Sequence, residues 1–144
     1  MNMKKHILPL TYEPKIQAVL DGDCTQTIRP MNPSNLKNPS DLVMFHGWSG
    51  KPYRSKWSFR TPYWEITEVI DVCIKPKELV FMSQGYDDVS SDFIARMDGF
   101  ESYEDMYQQF VKMYGDIFND PFLHQYFQVI CWEYKKYKNL SVKG

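Results

Sequence analysis

Three stretches of the chain carry side chains whose types and spacing could do chemistry. The first runs from Ile16 to Pro30 and reads IQAVLDGDCTQTIRP. Gly22 turns the chain, and the strand predicted to follow puts Thr25, Thr27 and Arg29 on one face, with Gln26 and Ile28 on the other. If Ile28 points into the core, two hydroxyls and a guanidinium line the opposite face. That set suits an anionic or heteroatom-rich ligand, since Arg offers a planar fork to phosphate and Thr donates or accepts. The plainer reading is an exposed strand with ordinary polar residues.

The second stretch, Gly47 to Arg60, carries four cations, no acid and four interleaved aromatic residues. Cations neutralise phosphates and aromatic faces stack on bases, and a single-stranded nucleic-acid site needs both. Lys51, Tyr53, Arg54 and Lys56 are its candidate contacts, and Gly47 and Gly50 would let the backbone approach a ligand. The alternative is a solvated loop whose rings tuck inward. The third stretch is Arg96-Met97-Asp98-Gly99-Phe100, where Asp98 before a turn glycine could hold a carboxylate near a cleft or simply accept backbone N–H groups in the turn.

These stretches need elements to hold them. Pro14 is tolerated in the first turn of a helix that starts after Thr11, a plausible N-cap, and Ile16, Val19 and Leu20 form its apolar stripe. Ile7 to Leu10 reads as a short edge strand, and Leu42 to Phe45 as a compact buried one. Tyr63 to Ile74 alternates at first and slips a step near Val69-Ile70, which predicts a β-bulge there. Ser102 with Asp105 matches a capping box, and Met106, Phe110 and Met113 fall on one face of the helix it opens. A final strand over Phe122 to Tyr134 puts Phe127, Val129 and Cys131 on one face. Short strands with two main helices predict an α+β, barrel-like domain over residues 1–144 rather than a parallel βαβ sheet.

Bulk properties agree with that frame. Rings must fill much of the core, because 16% of the residues are Phe, Trp or Tyr. The net charge of −1 hides an asymmetry. Residues 1–60 hold nine Lys/Arg against four Asp/Glu, whereas residues 84–120 hold two against nine, so an anionic ligand could be steered to one face. Cys73 and Cys131 lie in apolar strand-like runs and read as small core residues. No Cys/His spacing marks a metal site, and no cofactor is implied. No apolar run reaches the roughly 18 residues of a membrane helix, and three scattered cysteines fit a reducing cytoplasm.

The AVLDGDCTQTIR segment, the later DGFESYEDM run and the final FQVICW strand together resemble the ASCH (activating signal cointegrator homology) family, over roughly Ile16 to Trp132. The resemblance implies a PUA-like mixed β pseudo-barrel flanked by two main helices, with RNA or a nucleoside or nucleotide as partner. One branch of that family removes acetyl from N4-acetylcytidine with a Lys, a Thr and a Glu, and another is described as metal-assisted ribonucleases. The Thr falls on Thr27. The Lys falls on Cys24, where a thiol lacks the cation, and the Glu falls on Asp98 across a one-residue gap. The expectation is therefore an RNA- or nucleotide-binding cleft lined by Thr25, Thr27 and Arg29 and covered by Lys51, Tyr53, Arg54 and Lys56. A nucleoside hydrolase using Thr27, Asp98 and Cys24, a ribonuclease, and a protein-interaction module built on the Tyr103–Tyr114 helix stand as alternatives.

Overall fold

Leu42 to Phe45, an apolar run entered from a polar loop, forms the start of the strand that organises half of the molecule. The computed structural model describes residues 3–48, 57–120 and 125–132. Along the chain these fold as β1 (Lys5–Pro9), α1 (Glu13–Leu20), β2 (Gln26–Pro30), β3 (Leu42–Trp48), β4 (Trp57–Arg60), β5 (Trp64–Glu65), β6 (Glu68–Ile74) and β7 (Leu79–Phe81). They continue as α2 (Ser91–Met97), α3 (Tyr103–Met113), α4 (Gly115–Phe118) and β8 (Tyr126–Cys131).

In the first sheet β3 is central. It takes β1 in parallel on one side, and β4 and β5 antiparallel on the other, with β5 against its first residues and β4 against its last. The second sheet is antiparallel in the order β2-β8-β6-β7. The chain passes from one sheet to the other at Ile66-Thr67: the Ile66 N–H donates to the Asp41 carbonyl, and the Thr67 N–H to the Cys131 carbonyl. Among the described residues the sheets remain two ladders and no closed barrel forms. The architecture is mixed α+β.

Burial explains the layering. In β8 every residue from Phe127 to Cys131 is buried, so the strand is covered on both faces. Phe127, Val129 and Cys131 face a core shared with Ile94, Met106 and Phe110 of α2 and α3. Ile130 faces a second core with Val19, Val43, Phe45 and Ile66, which joins the sheets beneath α1. The aromatic side of α3 is thus turned inward, with Tyr103 and Phe110 both buried.

Several local expectations shift. Tyr12 rather than Thr11 caps α1, without a side-chain bond, and Leu20 of the expected stripe is exposed. The bulge expected at Val69-Ile70 is absent, because β6 alternates buried and half-buried residues without a break. An irregularity instead falls at Gly47/Trp48, where β3 meets β4. A Cβ on Gly47 would run into the Phe59 ring, so this close crossing requires glycine. Ser102 does cap α3, its side chain accepting from the Asp105 N–H.

Asp41 fastens the first sheet. Its carboxylate accepts from the Lys4 N–H at 3.1 Å and the Asn38 N–H at 3.1 Å, and pairs with His6 Nε2 at 2.9 Å. Burial opposes the charge, but the His6 contact and the two backbone donors outweigh it and hold the carboxyl below its ordinary value. A depressed carboxyl stabilises the fold above its unfolded pKa, and that contribution is lost as pH falls through the folded value. Asp41→Asn is therefore expected to lower stability by roughly 1–3 kcal/mol near neutral pH. In urea melts the deficit should shrink as pH falls below the ordinary carboxylate range, where the wild-type carboxyl also protonates.

Candidate functional site

β2 and α1 bring the polar groups of the site together because Gly22 separates them by so little chain. With φ at +82°, Gly22 adopts the left-handed conformation that ends α1 and turns the chain toward β2. On α1, Lys15 lies one turn before Val19, and both are buried. The lysine stem follows the apolar face while its amino group reaches past it.

That amino group makes two contacts. Lys15 Nζ donates to Thr27 Oγ1 at 3.2 Å and to Asp98 Oδ2 at 2.8 Å. Asp98 caps the end of α2 and its side chain is fully buried. Its other oxygen accepts from Gln26 Nε2 at 3.0 Å, and that amide also donates to the Ile94 carbonyl at 3.3 Å. Gly99, with φ at +97°, carries the chain away from α2 directly after Asp98, a conformation a side chain would strain. Arg29 Nε donates to Thr27 Oγ1 at 3.0 Å, and Nη2 donates to the Pro9 carbonyl at 2.6 Å. Thr27 Oγ1 thus accepts from two cationic side chains, and its own proton is left to donate elsewhere.

Burial raises the Asp98 carboxyl above its ordinary value, against the pull of Lys15, Gln26 and Arg29. Nearby, burial and the Arg29 charge both lower His46 and Lys37. The cluster forms the floor of a cleft of about 360 Å³, within the usual range for small-molecule sites. Lys15, Thr27, Arg29 and Asp98 are among its polar lining, and Tyr12, Phe100, Phe110 and Tyr114 form its aromatic walls. Tyr12 and Phe100 stack at 5.1 Å, and the Arg29 guanidinium lies 5.9 Å from the centre of the Phe45 ring.

Thr27, Arg29 and Asp98, singled out in the sequence, therefore meet in one place. Thr25 and Cys24 do not line that cleft. Thr25 precedes β2, and its carbonyl accepts from the Trp132 N–H. Cys24 is buried in the core between the sheets, its thiol directed at the Gln26 and Met97 carbonyls at 3.3 and 3.4 Å. Lys51, Tyr53, Arg54 and Lys56 lie outside the described residues.

Two residues of the site were not singled out by sequence, Lys15 and Gln26. A signal existed for each: Lys15 shares a helical face with Val19, and Gln26 shares a strand face with Ile28, so both polar groups needed buried partners. Among the described residues, no three His, Cys, Asp or Glu side chains gather as a metal site requires. No helix among them is long and apolar enough to cross a membrane. Comparison with protein-family models, with curated proteins and with solved structures finds no match.

Proposed function

We propose that the cleft takes a nucleoside- or nucleotide-sized ligand derived from RNA and that Lys15, Thr27 and Asp98 hydrolyse an acyl amide on it, with an acylated pyrimidine nucleoside such as N4-acetylcytidine as substrate. One observation carries this reading. Thr27 Oγ1 accepts hydrogen bonds from two cationic side chains, and one of these, Lys15, is paired at 2.8 Å with a buried carboxylate. An oxygen so placed is stabilised as it gains negative charge, which is what a hydroxyl nucleophile requires.

Lys15 Nζ lies 2.8 Å from Asp98 Oδ2, and along that hydrogen bond the ammonium passes a proton to the carboxylate as substrate binds. The neutral amine then accepts the Thr27 proton as Oγ1 forms a bond to the acyl carbon and the carbonyl electrons move onto oxygen. When these electrons return, the C–N bond breaks and the departing cytosine amine takes the proton from Lys15. The acetyl group remains on Thr27 until water attacks it, giving a proton to the same amine; the amine passes that proton to Thr27 Oγ1 as acetic acid leaves, and Asp98 then gives Lys15 back its own. The DGDCTQTIR and DGFESYEDM likeness to the ASCH family supports this reading, with the amine supplied by Lys15 instead of position 24. Two sheets joined beneath α1 suit a PUA-like arrangement.

A second reading, binding without turnover, is favoured by Arg29 beside the Phe45 ring and by the aromatic walls, which fit a phosphate and a base. The two are separated by incubating the protein with N4-acetylcytidine and following acetate and cytidine by chromatography. Acetate release supports hydrolysis. No release, together with a melting temperature raised by cytidine monophosphate, leaves binding alone. Neither effect ends both readings.

A further inference from the structure

The polar groups on the floor of the cleft are bonded to one another, but a hydroxyl in its wall is placed differently. Tyr114 lies at the junction of two helices, ending α3 and opening α4. Its N–H donates to the Phe110 carbonyl at 2.7 Å, and its own carbonyl accepts from the Ile117 N–H at 2.9 Å. The ring is clamped edge-on against Phe110, at 5.6 Å and 88°, and against Phe127, at 5.6 Å and 67°. Backbone and ring are thus both fixed, while the Tyr114 hydroxyl has no hydrogen-bond partner among the described residues. The residue lines the same cleft as Thr27, Arg29 and Asp98.

We propose that Tyr114 is a further catalytic residue, whose hydroxyl donates a hydrogen bond to the acyl oxygen of the bound substrate and holds it as that oxygen becomes negative. The inference rests on the hydrolytic reading of the cleft and adds the group that reading lacks. Lys15 and Arg29 act on Thr27, and neither is thereby aimed at the oxygen of the acyl group. An acyl transfer needs a donor at the position that oxygen takes in the tetrahedral intermediate, and a rigidly held phenol is such a donor. The phenol also keeps its proton: burial raises it above its ordinary value, the Asp98 charge adds to this, and the Arg29 charge opposes it. It enters as a neutral donor and returns to that state, since the proton is shared and never transferred.

Tyr114→Phe keeps the ring in its clamp and removes only the hydroxyl. Initial rates on N4-acetylcytidine are expected to show kcat lower by about 100-fold, KM within about twofold and an unchanged melting temperature. A purely structural role would move the melting temperature, and a ground-state contact would move KM. Wild-type kcat in Tyr114→Phe, or a loss confined to KM, overturns the role of Tyr114 while leaving the hydrolytic reading in place. Absence of turnover in the wild-type protein overturns both. If Tyr114→Phe melts lower, Tyr114→Leu, which also lacks the clamped ring, serves as the comparison. A kcat equal in the two variants and about 100-fold below wild type assigns the loss to the hydroxyl, and a kcat that tracks melting temperature overturns the proposal.

Discussion

Lys15→Met is expected to lower stability by about 3–5 kcal/mol near neutral pH and to abolish turnover, two losses with different causes. Methionine keeps the stem on the apolar face of α1 but leaves Asp98 fully buried without its cation. Among the described residues only Gln26 Nε2 would still donate to it. A buried carboxylate in that position escapes by taking a proton, so in the variant its folded pKa rises further above the unfolded value. The sign follows from linkage. A raised carboxyl leaves stability intact below its unfolded pKa and removes it as pH rises through the folded pKa. The deficit of Lys15→Met in urea melts should therefore be large at neutral pH and shrink toward about pH 4. Lys15→Met combined with Asp98→Leu removes both charges and keeps the volume, and it should recover most of the lost stability without any turnover. A double variant as unstable as the single one would show that the pair is not the source of the loss. Turnover retained in either variant would take the amine out of the chemistry.

The Lys15–Asp98 contact also shows what the sequence made legible and what it did not. Thr27 and Arg29 could be placed on one face because strand alternation is a local rule, and Ile28 fixed which face was the core. The capped α3 was legible for the same reason, since Ser102 and Asp105 are neighbours on one helical turn. Asp98 was visible as the residue before a turn glycine, but its partners were not. Lys15 stands 83 positions away and Gln26 stands 72 away. No local pattern carries such a pairing; the packing of α1 and α2 against the second sheet creates it. Alignment of motifs put the amine at Cys24, yet the amine in the site comes from the preceding helix. The bend between the sheets was misplaced for a related reason. The apparent slip near Val69-Ile70 came from an apolar residue at 69, which the second core half-buries from the other face of β6. A strand covered on both faces does not keep a polar side.

Thr27→Val tests the centre of the proposed mechanism and should cost activity far more than stability. Valine keeps the branched shape that suits β2, and Thr27 is only 1% exposed, so the substitution removes a hydroxyl and little else. Two donors lose an acceptor, but neither is stranded: Lys15 keeps Asp98, and Arg29 keeps the Pro9 carbonyl. The cost in stability is accordingly expected near 1 kcal/mol. The cost in kcat should reach about 10³-fold or more, because among the described residues no other hydroxyl of the cleft is held between two cations; what remains would come from binding and orientation alone, on the order of the residual rate left when a nucleophile is deleted. Thr27→Ser should retain measurable turnover, lowered about tenfold by the freer rotation of a side chain without the methyl group. Rapid acid quench followed by peptide mass analysis supplies the direct observation: wild-type protein mixed with N4-acetylcytidine should carry one acetyl group on the peptide containing Thr27, and Thr27→Val should carry none. An acetyl group found on Lys15 instead would move the nucleophile to the amine. Undiminished turnover by Thr27→Val would end the role of Thr27 as nucleophile and leave the cleft a place of binding.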